Sequence, residues 1–149
     1  MLSIRRRLRG HAGSVLILMP AAVLIVLLLG AIAVDLTIVH LRQQQAIEAA
    51  ASAANDAVTA GLDQAALRAG HGYRLDPTRV HAAVDRSITA QGLTDQLAAP
   101  PEIRQPGPDT ITVIIRLRAD YVFARALPGT PHATTVAGTA TATAEIAPG

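Results

Sequence analysis

Cysteine is absent from the 149 residues, which rules out thiol nucleophiles, thiolate-held zinc or iron centres and disulfide staples. Tryptophan and lysine are missing too, and the aromatic set is Tyr73, Tyr121 and Phe123. A nucleic-acid surface of cations interleaved with stacking rings has no material here, so no nucleic-acid partner is expected. The histidines His11, His40, His71, His81 and His132 include no i, i+4 pair that would aim two imidazoles at one metal from a helix. His71 and His81 are the pair that folding could bring together, against the simpler reading of loop and helix-surface histidines. There is no Gly-x-Ser-x-Gly elbow and no phosphate-cradling glycine loop, Gly70-His71-Gly72 being too short to count. The carboxylates are dispersed. The chain is therefore expected to be neither an enzyme nor a cofactor carrier, unless folding converges acids or histidines in a pocket.

Charge is missing from one stretch in particular. Val15 to Val34, VLILMPAAVLIVLLLGAIAV, carries none, and the uncharged segment extends from Ala12 to the carboxylate of Asp35. Twenty helical residues at about 1.5 Å each reach roughly 30 Å, the thickness of a bilayer's hydrocarbon core. Arg5, Arg6, Arg7 and Arg9 precede the run, whereas the far flank from Asp35 to Glu48 sets Arg42 against two acids. Basic flanks stay in the cytoplasm, so the amino terminus is expected inside and everything after about residue 38 outside. Those four arginines leave nine Arg facing eleven Asp and Glu, a formal charge of −2 for the rest of the chain. The basic balance is mostly a topology signal. The expected organisation is a basic leader over 1–14, a transmembrane helix over 15–38 and an extracytoplasmic domain over 39–149, long enough for one small core.

A secretory signal peptide is the rival reading, because Ala31-Ile32-Ala33 also fits a small-residue cleavage site. Length favours the anchor: a signal's apolar region runs about 7 to 15 residues, and Pro20 and Gly30 are tolerated in spanning helices. Asp35 has two readings as well. It is either a solvated interfacial carboxylate that ends the span or a contact with another membrane helix.

From Leu36 to Ala60 there is neither Pro nor Gly, so the helix is expected to continue outward. Ile47, Ala50, Ala51, Ala54, Ala57 and Val58 recur at three- and four-residue intervals, while Gln45, Glu48, Ser52 and Asp56 share another face. This narrow alanine stripe is either the domain's own core face or a seam for a second anchored helix. The candidate helix–helix contacts are thus Asp35, Ile47, Ala50, Ala51, Ala54 and Val58.

After the loop GHGYRLD, Asp76 is placed to cap a second, short helix with Pro77 in its first position and Val80, Val84 and Ile88 on one face. Gly92 would stop it. Ala98 to Asp109, with its prolines, reads as a connector. Ile111, Val113, Ile115, Leu117, Ala119, Tyr121 and Phe123 then alternate with Thr112, Arg116, Arg118 and Asp120, the pattern of a half-buried strand. A turn holding Pro128, Gly129 and Pro131 leads to a second alternation, Val136, Ala140, Ala142, Ala144 and Ile146 against Thr135, Thr139, Thr141, Thr143 and Glu145. The fold class expected is α+β: a long helix, a second short helix and an antiparallel hairpin or small sheet covered on one face by helices.

Three features together resemble the TadE/TadG-like proteins of tight-adherence (Flp) pilus assembly, particularly the short actinobacterial members. They are the basic leader ending in Gly13-Ser14 with the apolar helix running into Ala33-Val34-Asp35, the continuation LRQQQAIEAAASAANDAV, and the tail with YVFARAL and TVAGTATATAEI. The resemblance implies a pilin-like architecture and a place in the bacterial cytoplasmic membrane. It also implies partners among other pilus-assembly or secretion-system membrane proteins, self-association included. Gly13-Ser14 is the candidate processing site. Processed pilin-like chains usually carry a glutamate five residues after the processing glycine, and here that position holds Leu18 counted from Gly13 or Val15 counted from Gly10. An unprocessed, permanently anchored accessory factor is the expectation, with a cleaved, exported envelope binding module as the alternative.

Overall fold

The computed structural model describes residues 12–70, 74–126 and 128–144, with side chains from residue 18 onward except those of 65 and 66. The apolar run and the alanine-rich segment after it form one uninterrupted helix, α1, from Ala12–Gly61, about 75 Å long. Its sole interior proline is Pro20. A five-residue turn of helix, α2 (Gln64–Arg68), comes next, and then α3 (Pro77–Ala90). Three strands complete the chain: β1 (Glu102–Arg104), β2 (Thr110–Asp120) and β3 (Ala133–Thr143).

The ends of α3 are set by local chemistry. Asp76 accepts a 2.9 Å hydrogen bond from the Thr78 amide, and Pro77 fills the first position, where no amide donor is needed. At the other end Gly92 adopts φ +66°, its amide bonds to the Thr89 carbonyl and the Leu93 amide reaches back to Ile88. This is the six-to-one, five-to-two pattern of a Schellman cap, with Leu93 and Ile88 both buried beneath it. Val80, Val84 and Ile88 do line the buried face, joined by Ala83 and Ser87.

The sheet is antiparallel, in the order β1-β2-β3. It has one strand more than the expected hairpin, because the proline-rich connector leaves Glu102 to Arg104 free to pair with Ile114 to Thr112. Pro101 and Pro106 flank this short edge strand without entering it, where a missing amide donor costs no ladder bond. β2 buries Ile111, Val113, Ile115, Leu117 and Ala119 as the alternation requires, but it stops at Asp120 and does not run on through Phe123. Its inner face and that of β3 lie against α1, and α3 packs on α1 from another side. One core results, in which Ala46, Ala49, Ala50, Ala53, Ala54 and Ala57 of α1 meet the strand residues and Val80, Val84 and Ile88.

The buried stripe of α1 is rotated by about one residue from the expected one. Ala46, Ala49 and Ala53 are fully buried, whereas Ile47 is 40% exposed and Ala51 and Val58 are half-buried. The reason is at Gly138. A Cβ there would overlap the Ala46 carbonyl, so sheet backbone and helix backbone are in direct contact. No side chain larger than that of alanine is buried on α1 along that approach.

Candidate functional site

Two features of this fold can engage something outside the chain: the outer surface of α1 and the open edge of β3. Between Leu18 and Val34 nearly every side chain is exposed, with Met19 at 70% and Val26 at 67%. The helix carries an apolar stretch long enough to cross a membrane, none of it buried inside the fold. Asp35, at 8% exposure, is the first buried side chain among those described, although Leu36 and Leu41 on other faces stay open at 65% and 62%.

Asp35 is held by the far end of the chain. Its Oδ1 accepts hydrogen bonds from the backbone amides of Val122 (2.8 Å) and Phe123 (3.1 Å), and its Oδ2 accepts one from Ala124 (2.8 Å). Three consecutive amides turned toward one carboxylate cannot also belong to a strand ladder, which is why β2 ends where it does. The Tyr121 amide still reaches the His132 carbonyl at 2.9 Å. Beyond it a single turn over Ala124–Ala126 forms, with Thr130 Oγ1 donating to the Ala124 carbonyl. Asp35 thereby pins this loop to the helix at the first residue after the apolar run. Arg42, two turns further on, donates to Gln45 and to Gln96.

The second feature arises from the register. The Ala144 amide bonds to Asp109 and the Tyr121 amide to His132, so the even-numbered residues of β3 face β2 with their backbone polar groups. Those of Thr135, Ala137, Thr139, Thr141 and Thr143 therefore point to the open edge. Gln43 of α1 covers one of them, donating from Nε2 to the Ala137 carbonyl at 2.7 Å. Outward side chains beside this edge pair across the strands, Thr112 with Thr141 at 2.9 Å and Thr110 with Thr143 at 3.2 Å. On the same outer face Glu102 accepts from Arg104 Nε at 2.7 Å and from Arg116 Nη2 at 3.0 Å. These two guanidinium hydrogen bonds hold its carboxyl below the usual glutamate range.

Of the residues singled out from the sequence, Ala50 and Ala54 are enclosed by the chain's own core, at 0% and 1% exposure. Ile47 remains open on the surface of α1, and Ala51 and Val58 sit at the margin of the core. Gly13 and Ser14 have helical backbone in α1, with side chains outside the described residues, and Arg5, Arg6, Arg7 and Arg9 lie outside them altogether. So do His11 and His71, while His40, His81 and His132 are exposed. Among the described residues no three His, Asp or Glu side chains converge in a metal-binding arrangement. Neither the Asp35 clamp nor the Gly138 contact is among the features expected from the sequence. A lone glycine inside an alternating strand marks close backbone approach, and it is the available signal for the second. Comparison with protein-family models, with curated proteins and with solved structures found no match.

Proposed function

We propose that this chain is a single-span membrane protein that helps to assemble or anchor a tight-adherence (Flp) pilus or a related secretion apparatus, acting through protein–protein contact and not catalysis. One observation carries the reading: a single helix is apolar and bare over its first half and forms the core of a small antiparallel-sheet domain over its second. That division is pilin-like in architecture, and it agrees with the family resemblance of the leader, helix and tail. The arginine-rich leader supports a cytoplasmic amino terminus and an extracytoplasmic domain in the bacterial envelope. Contacts with other spans would use the exposed face of α1, and partners outside the membrane would meet the open edge of β3, which offers unpaired backbone donors and acceptors.

Photocrosslinkers placed at Ile47 and Thr139 in native membranes test this directly. The expected result is adducts with pilus-machine components, together with reduced piliation when the gene is deleted. No such adduct and unchanged piliation would sink the proposal.

A second reading draws on the position of Asp35. Because, among the described side chains, the first buried one of α1 comes after Val34, cleavage after Ala33 would release the domain with its described contacts intact as an exported binding module. Fractionation of a carboxy-terminally tagged chain separates the two: full length in membranes for the anchor, shortened and soluble for the module.

A further inference from the structure

The loop that Asp35 clamps carries a second consequence, which rests on the reading of α1 as a membrane span. Outside α1, the large apolar side chains left exposed among the described residues are two neighbours, Val122 at 53% and Phe123 at 46%. Their own amides are the ones bonded to Asp35, so both sit at the height of the first helix residue beyond Val34, where hydrocarbon gives way to headgroups. Outside α1, exposed large apolar side chains among the described residues are thus confined to the membrane end of the molecule, whereas on α1 itself Leu41 and Ile47 are open further along. Asp35, the acid against this patch, is buried and taken up by three loop amides, and the loop's own sequence adds no other acid from Tyr121 to His132, while Arg125 is exposed two residues past Phe123. The preceding acid, Asp120, is paired with Arg118 at 2.8 Å.

We infer that Val122 and Phe123 enter the outer interfacial layer of the bilayer and that Arg125 meets lipid phosphate, making the 121–126 loop a second membrane contact besides the span. An aromatic and an aliphatic side chain beside a cation form the composition that favours this layer. The occupant is lipid, because the clamp fixes the patch to the end of the helix's own apolar surface and not to the sheet edge or α3.

The absence of tryptophan makes the test clean. Single-tryptophan variants Leu27→Trp, Phe123→Trp and Thr94→Trp of the full chain are reconstituted in vesicles of phosphatidylcholine and phosphatidylglycerol. The acyl chains carry bromine either near the headgroup or near the chain end. Leu27→Trp should be quenched by the deep label and Thr94→Trp by neither. Phe123→Trp should lose about half its emission or more to the shallow label and less to the deep one. Introducing Arg125→Glu beside Phe123→Trp should weaken the shallow quenching. If Phe123→Trp matches Thr94→Trp while Leu27→Trp is quenched, the span stands and this inference falls. A blue-shifted Phe123→Trp that ignores both lipid labels means that protein covers the loop, and overturns it equally. An unquenched Leu27→Trp removes the spanning reading and the inference with it.

Discussion

The two halves of α1 obey opposite rules. From Leu18 to Val34 the helix presents leucine, valine and isoleucine outward, and from Ala46 to Ala57 it buries nothing larger than alanine. Hydropathy alone would place the first half in the core and leave the second near the surface. What decides instead is the neighbour. Large apolar side chains suit a fluid apolar solvent, whereas a sheet whose backbone touches the helix backbone at Gly138 admits only a methyl group between them.

The sharpest way to break that contrast is at Gly138 itself. Gly138→Ala drives a methyl into the Ala46 carbonyl and should destabilise the domain by about 3 kcal/mol or more, and Gly138→Val should prevent β3 from docking. Far-ultraviolet circular dichroism and limited proteolysis of the full chain in detergent would show it. A smaller effect is expected from exchanging the rules within the inner half. Ala53→Leu should cost about 2 kcal/mol by overpacking, while Ile47→Ser on the exposed side should stay within about 0.5 kcal/mol, both read from denaturant midpoints. Equal costs would mean that the inner half is not packed as described.

At the boundary between the halves, Asp35→Ala strands three amides and should raise cleavage in the 121–126 loop by about tenfold or more, with the rest of the domain protected. Asp35→Asn should fall between, since its oxygen can serve Val122 and Phe123 while its amide group faces the Ala124 N–H. The smallest effect concerns the outer sheet face. Glu102 titrates below its usual value in the folded chain, so its contribution is fully present above roughly pH 5 and is lost as pH falls through the depressed value. Glu102→Gln should flatten the acid limb of the stability profile and leave the neutral plateau nearly unchanged, because the pair is only half-buried and is screened by solvent.

Much of this fold is legible in local pattern, and the remainder shows where pattern stops. Asp76 before Pro77 and the Val80, Val84, Ile88 spacing are contained within one element, and α3 is determined by them. The strand β1 depends on pairing with residues eight to twelve positions away, so a proline-flanked tripeptide gives no sign of it. Periodicity sets the alanine stripe one residue off because Ile47 outweighs any alanine in such an argument, although the sheet cannot admit it. Asp35 is nearly within reach. It lies eleven residues from Ala46, three turns and about 20° of rotation, and therefore faces the same way as the buried stripe. That spacing points the carboxylate at the domain, but nothing in the chain's order announces residues 122–124 as its partners.

The unbroken course of α1 has one more consequence, mechanical in kind. From Asp35 to Gly61 the helix is an unbroken stiff rod about 40 Å long, and the sheet is docked along it. Set at a tilt of about 20°, such a rod carries its far end sideways by about 14 Å without breaking a bond. On the proposed spanning reading, the thickness of the host membrane, one of the influences on such a tilt, becomes a setting for where the open edge of β3 is held.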